Sequence, residues 1–268
     1  MKETISALQE ELAAFPWREE GLQNIKRWKT RRPMYYRPDL STHSKHVAWL
    51  AAAALPAALP LLGAFDAKKM CAVALVHDDA EIVTGDYEAG NKANMAHEQL
   101  AAIDKHERKA IHELAARFPK TVGGYTYEEL LFDILDLESK EAQFAKYLDR
   151  FDGFGEGIHE IYAGNPQFTE KIVTEYGPMP HFYDLNVDLR ARMMEKHSAL
   201  AGLKDTSLFF SFPPFPDWKE VVQKGSFHTR ERLAETTEFA QYDIWKKTIL
   251  DSGDEKEIKH LYLQQESI

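Results

Sequence analysis

The stretch AVALVHDDAEIVTGD, Ala72 to Asp86, constrains this chain more than any other. An apolar run that reads as buried helix ends on an adjacent pair, His77 and Asp78. Glu81 follows one turn later, and Thr84-Gly85-Asp86 closes the stretch. Charge buried in a protein is costly unless it is paired, hydrogen-bonded or bound to a metal. A chain with this stretch in its core must bring partners for these groups from elsewhere in the sequence.

Asp66 is placed to cap the helix, which the pattern carries as one element to a stop at Gly85. The four-residue spacing puts His77 and Glu81 on one face, with Asp78 turned to the side. His77 and Asp78 then both reach an ion lying between their directions.

Two upstream and downstream segments offer partners. Ser41 or Thr42 caps a helix running to about Leu55, and Pro56 and Pro60 bracket a break after it. His43, Val47, Leu50 and Ala54 fall on one apolar face, so His43 points inward, and His46 lies to one side. Further on, YLDRFDGFGEGIHE reads as helix with Asp149 among Leu148, Phe151 and Phe154; Asp152 is its nearest rival. Gly153, Gly155 and Gly157 each cost about 1 kcal/mol against alanine in a helix, which leaves close packing or room for a ligand as their reason. No strand precedes them, so they are not a dinucleotide fingerprint.

Two histidines and two carboxylates suit one divalent ion with mixed nitrogen and oxygen ligands. His43, His77 and Asp78 supply three, and Asp149 is the best-placed fourth. Glu81 is then placed to orient or deprotonate a water, and Asp86 to hold a substrate hydroxyl or assist a leaving oxygen. KRWKTRRPMYYR, Lys26 to Arg37, interleaves cations with Trp28, Tyr35 and Tyr36. It reads either as a solvated basic surface or as an anion site with rings near a nucleobase.

The rest of the chain predicts an all-α protein without repeats or strand ladders. Helices are expected over Glu3 to Leu12, Glu20 to Lys29, Asn91 to Phe118, Tyr127 to Glu138, Asp184 to Leu200, Thr229 to Leu250 and Glu255 to Gln264. His97, Asp104, His106 and His112 read as solvated-face residues. Gly177-Pro178-Met179-Pro180 reads as a rigid linker, and FFSFPPFPDW, Phe209 to Trp218, as a strap on the core or a partner-binding segment. The formal net charge of −10 argues against broad nucleic-acid coating, and no membrane span is predicted. MKETISALQEELAAF lacks the pattern of a secretory signal, and the single cysteine, Cys71, fits a reducing compartment; a cytoplasmic location is expected.

The ordered set His43, His77-Asp78 and Asp149 resembles the H…HD…D signature of HD-domain metal-dependent phosphohydrolases. KRWKTRR, THSKHVA, ALVHDDAEIVTGD and YLDRFDGFGEGIHE together resemble the bacterial HD-domain 5′-deoxynucleotidases over roughly residues 20–165. The resemblance implies an HD-domain helical core over 20–165, flanked by an N-terminal helical segment, 1–19, and a C-terminal helical extension, 166–268. It implies His43, His77, Asp78 and Asp149 as ligands of a divalent ion, Co²⁺ or Mn²⁺ first, with Mg²⁺ or Zn²⁺ as alternatives. It implies Glu81 and Asp86 nearest the chemistry, Arg27 as phosphate anchor, and Trp28 near sugar or base. The implied substrate is a deoxyribonucleoside 5′-monophosphate, and the implied assembly a homodimer. The chain departs from the family pattern at Thr42, where a glutamate is usual, and at Tyr87-Glu88-Ala89-Gly90, which lacks a proline. Two other readings stand beside it: a triphosphohydrolase using Lys29, Arg31, Arg32 and Arg37, and a non-catalytic nucleotide sensor.

Overall fold

The longest apolar stretch sets the frame. In a computed structural model that describes residues 1–31, 34–118, 120–170, 172–206 and 240–262, helix α3 runs Leu40–Leu62. Its cap is Asp39, whose side chain accepts from Thr42 N at 2.9 Å, rather than Ser41 or Thr42. The helix also passes through Pro56 and Pro60 instead of breaking. An internal proline costs about 3 kcal/mol, but Leu55, Ala58 and Leu62 are buried on the core side and hold these last turns in place. By length and composition α3 is apolar enough to cross a bilayer, yet it is a core helix with His43, Ser44 and His46 buried inside the protein.

Around α3 lie α1 (Lys2–Ala13), α2 (Pro16–Gln23), α4 (Ala67–Val76), α5 (Glu81–Thr84), α6 (Ala89–Lys92), α7 (His97–Ala115), α8 (Tyr127–Asp136), α9 (Lys140–Tyr162), α10 (Phe182–Lys196), α11 (Ala240–Ser252) and α12 (Glu255–Leu261). Helix α1 buries Ile5, Leu8 and Leu12 against α3 and α4. The helix expected over Glu20 to Lys29 lies earlier, and the one expected over Asn91 to Phe118 divides into α6 and α7. Short 3₁₀ segments follow α9 at Pro166–Phe168 and α10 at Ser198–Asp205. The Phe209 to Trp218 strap, Arg32 and the first part of the helix expected from Thr229 lie outside the described residues.

The expected single helix from Ala67 to Thr84 is two. Helix α4 ends at Val76, and residues 77–80 form a tightened turn with Asp79 N bonded to Val76 O and Glu81 N to Asp78 O. The backbone stays right-handed, with His77 at φ −59° and ψ −28°. Three-residue closure turns each side chain further than a 3.6-residue turn does, so His77, Asp78 and Glu81 are re-phased relative to an α-helical face.

Helix α9 is the other axis of the fold. Ser139 caps it by accepting from Ala142 N at 3.1 Å, and its residues from Tyr147 onward are almost all buried against α3, α4, α10 and α11. The only sheets among the described residues are two tiny hairpins. Thr121–Val122 pairs antiparallel with Tyr125–Thr126, and Val173–Thr174 with Gly177–Pro178. The first turns on Gly123 and Gly124 at φ +62° and +89°, values that suit glycine in a two-residue hairpin turn. The second falls where a rigid linker is expected.

Candidate metal centre and nucleotide pocket

Helices α3 and α9 and the turn after α4 bring four polar side chains to one buried point. His43 Nε2 lies 3.1 Å from Asp149 Oδ1, 3.2 Å from His77 Nε2 and 3.5 Å from Asp78 Oδ2. His77 Nε2 lies 3.3 Å from Asp78 Oδ1. One donor atom each from His43, His77 and Asp149 falls within 4.8 Å of the others.

The support behind the imidazoles decides which nitrogen faces inward. His77 Nδ1 lies 2.8 Å from the Ala74 carbonyl, an acceptor only, so this nitrogen carries the proton. His43 Nδ1 lies 2.6 Å from Asp152 Oδ2 and donates to it in the same way. Both Nε2 atoms are thereby turned toward the same point as two carboxylates, and this donor set, with His43 Nε2 deprotonated, fits a divalent cation. The electrostatics carry the same demand for positive charge. Burial and the Arg27 charge oppose it, but hydrogen bonds to Asp149 and Asp152 prevail and push His43 up to about 9. Burial likewise opposes ionisation of Asp78 and Asp149. His77 and His43 nonetheless hold Asp78 low, while Lys146, Arg150 and His43 hold Asp149 low.

Asp152 is therefore not at the ion-facing point. It stands behind His43, and its other oxygen accepts from Trp245 Nε1 at 2.6 Å. His46 faces the same carboxylate from behind, with Nδ1 3.5 Å from Asp152 Oδ1.

A cavity of about 140 Å³ opens in front of the cluster. Asp78 and Asp149 line it, and so do Glu81, Asp86, Arg27 and Trp28. Glu81 Oε2 is buried without a hydrogen-bond partner among the described residues. Burial first, then the charges of Asp78 and Asp86, raise the Glu81 carboxyl well above its ordinary range. Asp86 is raised as well, chiefly by burial, with Arg27 opposing and Asp78 adding. Phe182, Met179 and Asn186 complete the lining, together with Tyr87 to Gly90.

Arg27 and Trp28 share one anchor. Glu156 Oε2 accepts from Trp28 Nε1 at 2.6 Å and from Arg27 Nε at 3.1 Å. Trp28 sits at φ +57°, a left-handed conformation that costs a bulky residue about 1–3 kcal/mol. The Glu156 bond and edge-to-face contacts with Phe168 and Phe182 hold it there. The basic stretch divides its work: Arg31 lines the cavity and bonds to the Gln167 carbonyl, whereas Arg37 Nε donates to Arg27 O at 2.8 Å and braces the loop. Tyr36 turns away toward His46. The Tyr87–Gly90 departure is tied in through Glu88, which accepts from Thr30 N and Oγ1. Thr42 donates to Glu257 Oε1 of α12 at 3.3 Å.

Gly153 lines the cavity, where a Cβ would lie in ordinary contact 3.4 Å from Arg27 Nη2, while Gly155 and Gly157 are packing sites. A Cβ would lie 2.1 Å from the Trp245 ring at Gly155 and 2.2 Å from the Phe182 ring at Gly157. Close packing thus accounts for the glycines at 155 and 157. His112, by contrast, is an exposed partner of Glu128, far from this chemistry in character.

Sequence reasoning missed Glu156, Lys146 and Trp245. Glu156 and Lys146 had a signal: Lys146, Asp149, Asp152 and Glu156 fall at helical spacing on an otherwise apolar helix. Trp245 had none, because nothing local links it to Asp152. No curated protein sequence matches the chain. A family model described as 5′-deoxynucleotidase YfbR-like matches residues 19–188, a span that holds the whole cluster and every residue lining the cavity except Leu189. With that match joined to an all-α frame that gathers the H…HD…D residues at one buried point, the chain belongs to the 5′-deoxynucleotidase YfbR-like family of hydrolases.

Proposed function

We propose that this chain hydrolyses deoxyribonucleoside 5′-monophosphates to nucleoside and phosphate with one divalent ion held by His43, His77, Asp78 and Asp149. The observation that carries the reading is the convergence of the two Nε2 atoms and two carboxylates at one buried point, with Asp78 and Asp149 of that cluster lining a cavity that Arg27 and Trp28 also line. When bound, a divalent ion of this kind lowers the pKa of water and draws charge from a phosphoryl oxygen.

The side chains supply the rest. Arg27 pairs with the phosphate dianion, with its guanidinium oriented by Glu156. Trp28 offers its ring to the sugar or base, held in one orientation by the same carboxylate. Glu81 takes the proton of the attacking water at Oε2, where burial favours the protonated product. Water oxygen bonds to phosphorus as the P–O5′ bond breaks, and Asp86 hands a proton to the departing 5′ oxygen. The family resemblance points to Co²⁺ or Mn²⁺ as the ion, and the two imidazoles suit a transition metal. The reading places the enzyme in the cytoplasm, in keeping with a single, buried, free Cys71.

The test is a product assay on the ion-loaded protein. Ribo- and deoxyribonucleoside 5′-monophosphates and triphosphates are offered with Mn²⁺ or Co²⁺, and products are resolved by chromatography. Nucleoside plus single phosphate from deoxyribonucleoside monophosphates is the expected result. Intact triphosphate released from triphosphates would move the substrate class, and no product from any panel would overturn the catalytic reading.

A further inference from the structure

Helix α11 lies beyond the residues that match the family, yet it reaches the support of the metal centre. Trp245 Nε1 donates to Asp152 Oδ1 at 2.6 Å, with both side chains fully buried. The other oxygen of Asp152 receives His43 Nδ1 at 2.6 Å. One carboxylate is thus held at both ends by N–H donors, one from the cluster and one from the C-terminal helix.

The approach is built into both helices. Gly155, one turn along α9 from Asp152, leaves the space that the indole occupies; a methyl group there would lie 2.1 Å from the ring. Helix α12 bonds to the neighbourhood of the same carboxylate but not to it, since His46 Nδ1 makes no hydrogen bond among the described residues. Glu257 accepts from Tyr36 Oη at 3.1 Å, Tyr36 Oη lies 3.2 Å from His46 Nε2, and His46 Nδ1 lies 3.5 Å from Asp152 Oδ1.

We propose that α11 and α12 are a positioning element of the metal centre, in which Trp245 fixes the orientation of Asp152 and, through it, the inward-facing Nε2 of His43. The inference rests on the reading of His43 as a ligand. Its physical basis is directional. A carboxylate bonded only to His43 can rotate and take the imidazole with it, whereas a second N–H on the opposite oxygen selects one plane. An imidazole whose Nδ1 proton is held in place presents its Nε2 lone pair in a fixed direction. Trp245 touches no reacting atom and acts only through Asp152.

Trp245→Phe separates this role from volume filling, because the ring stays in the Gly155 cradle while the N–H is removed. Co²⁺ binding to the full-length protein is followed by its visible absorption, beside steady-state kinetics on a deoxyribonucleoside 5′-monophosphate. The expected result is about tenfold weaker ion binding, a lower kcat at saturating ion, and an unchanged KM. In an Asp152→Asn background the same substitution should add little, since the pair acts in series. Wild-type ion affinity in Trp245→Phe, or full additivity with Asp152→Asn, would overturn the inference alone. A wild-type protein that takes up no ion would overturn the metal reading and this inference together. If Trp245→Phe does not fold, the indole N–H resonance of Trp245 in ¹⁵N-labelled wild type is followed as diamagnetic Zn²⁺ is added. A shift is expected, and an unmoved resonance overturns the proposal.

Discussion

Adjacent in the chain, Asp78 and Asp79 give their carboxylates to different neighbours. Asp78 faces His43 and His77 in the candidate metal centre. Asp79 is fully buried and takes Arg18 Nε at 2.7 Å, Arg18 Nη2 at 2.6 Å and Tyr127 Oη at 2.8 Å. Arg18 also bonds to the Leu75 carbonyl, so the ion pair clamps the end of α4 onto α2. Removing one partner of a buried pair leaves the other charge desolvated, a loss of about 3–5 kcal/mol. Asp79→Ala should therefore show a matching fall in urea-unfolding free energy. A loss below about 1 kcal/mol would mean that water reaches Arg18 and the clamp is not structural.

Glu81→Gln keeps the shape of the side chain but removes its capacity to accept a proton. Ion affinity should be unchanged, and kcat should fall by about 10²–10⁴-fold. Loss of the ion from this variant, measured by titration, would make Glu81 a ligand rather than a base.

Glu156 holds two cavity-lining residues through one oxygen, Oε2. Glu156→Ala should release Arg27 and Trp28 together and raise KM for the monophosphate by about tenfold, the size expected when one charge-assisted hydrogen bond to the phosphate is weakened. Arg27→Ala should do the same without disturbing Trp28 fluorescence. Unchanged KM in both would assign the phosphate to another cation of the cavity.

His159 is buried on α9 beside Tyr242 Oη at 3.1 Å, and burial above all depresses its imidazole to about 3. Unfolded histidine titrates near 6.5. Between these values the unfolded chain binds more protons, so the contribution of His159 is complete above pH 6.5 and is lost as pH falls toward 3. His159→Asn should lose about 2–3 kcal/mol less than wild type between pH 7 and 4.5 in urea titrations. Glu160, raised by burial to about 7, has the opposite sign, losing its contribution as pH rises from the ordinary glutamate range through 7. It is common to both proteins and drops out of the difference. Equal pH slopes in the two proteins would place the acid sensitivity elsewhere.

The all-α class and the four clustered residues were legible because each sits on a strongly patterned element. His43 follows an apolar periodicity, His77 and Asp78 close an apolar run, and Asp149 is a charge in an apolar helix. What was not legible depends on packing at long range. The course of α3 through two prolines is decided by buried Leu55, Ala58 and Leu62, not by local propensity. The tightened turn after Val76 accompanies the pull of Arg18 and Tyr127 on Asp79, which no local pattern announces. By spacing Asp152 is the nearest rival of Asp149 as a ligand. Only the side of α9 that meets His43 Nδ1 rather than Nε2 separates them.

The glycines of α9 bear on how this sequence can diverge. Position 155 is closed to any side chain while Trp245 lies against it, and position 157 while Phe182 does. Those two rings come from α11 and α10, elements distant in the chain, so neither site is free to change by itself. A lineage that loses α11 removes the steric bar at 155 and can accept alanine there, gaining about 1 kcal/mol of helix propensity. One that keeps α11 inherits the glycine as an obligation. A side chain at this one position, readable in a bare sequence, thus excludes the docking of a C-terminal helix through a tryptophan placed like Trp245.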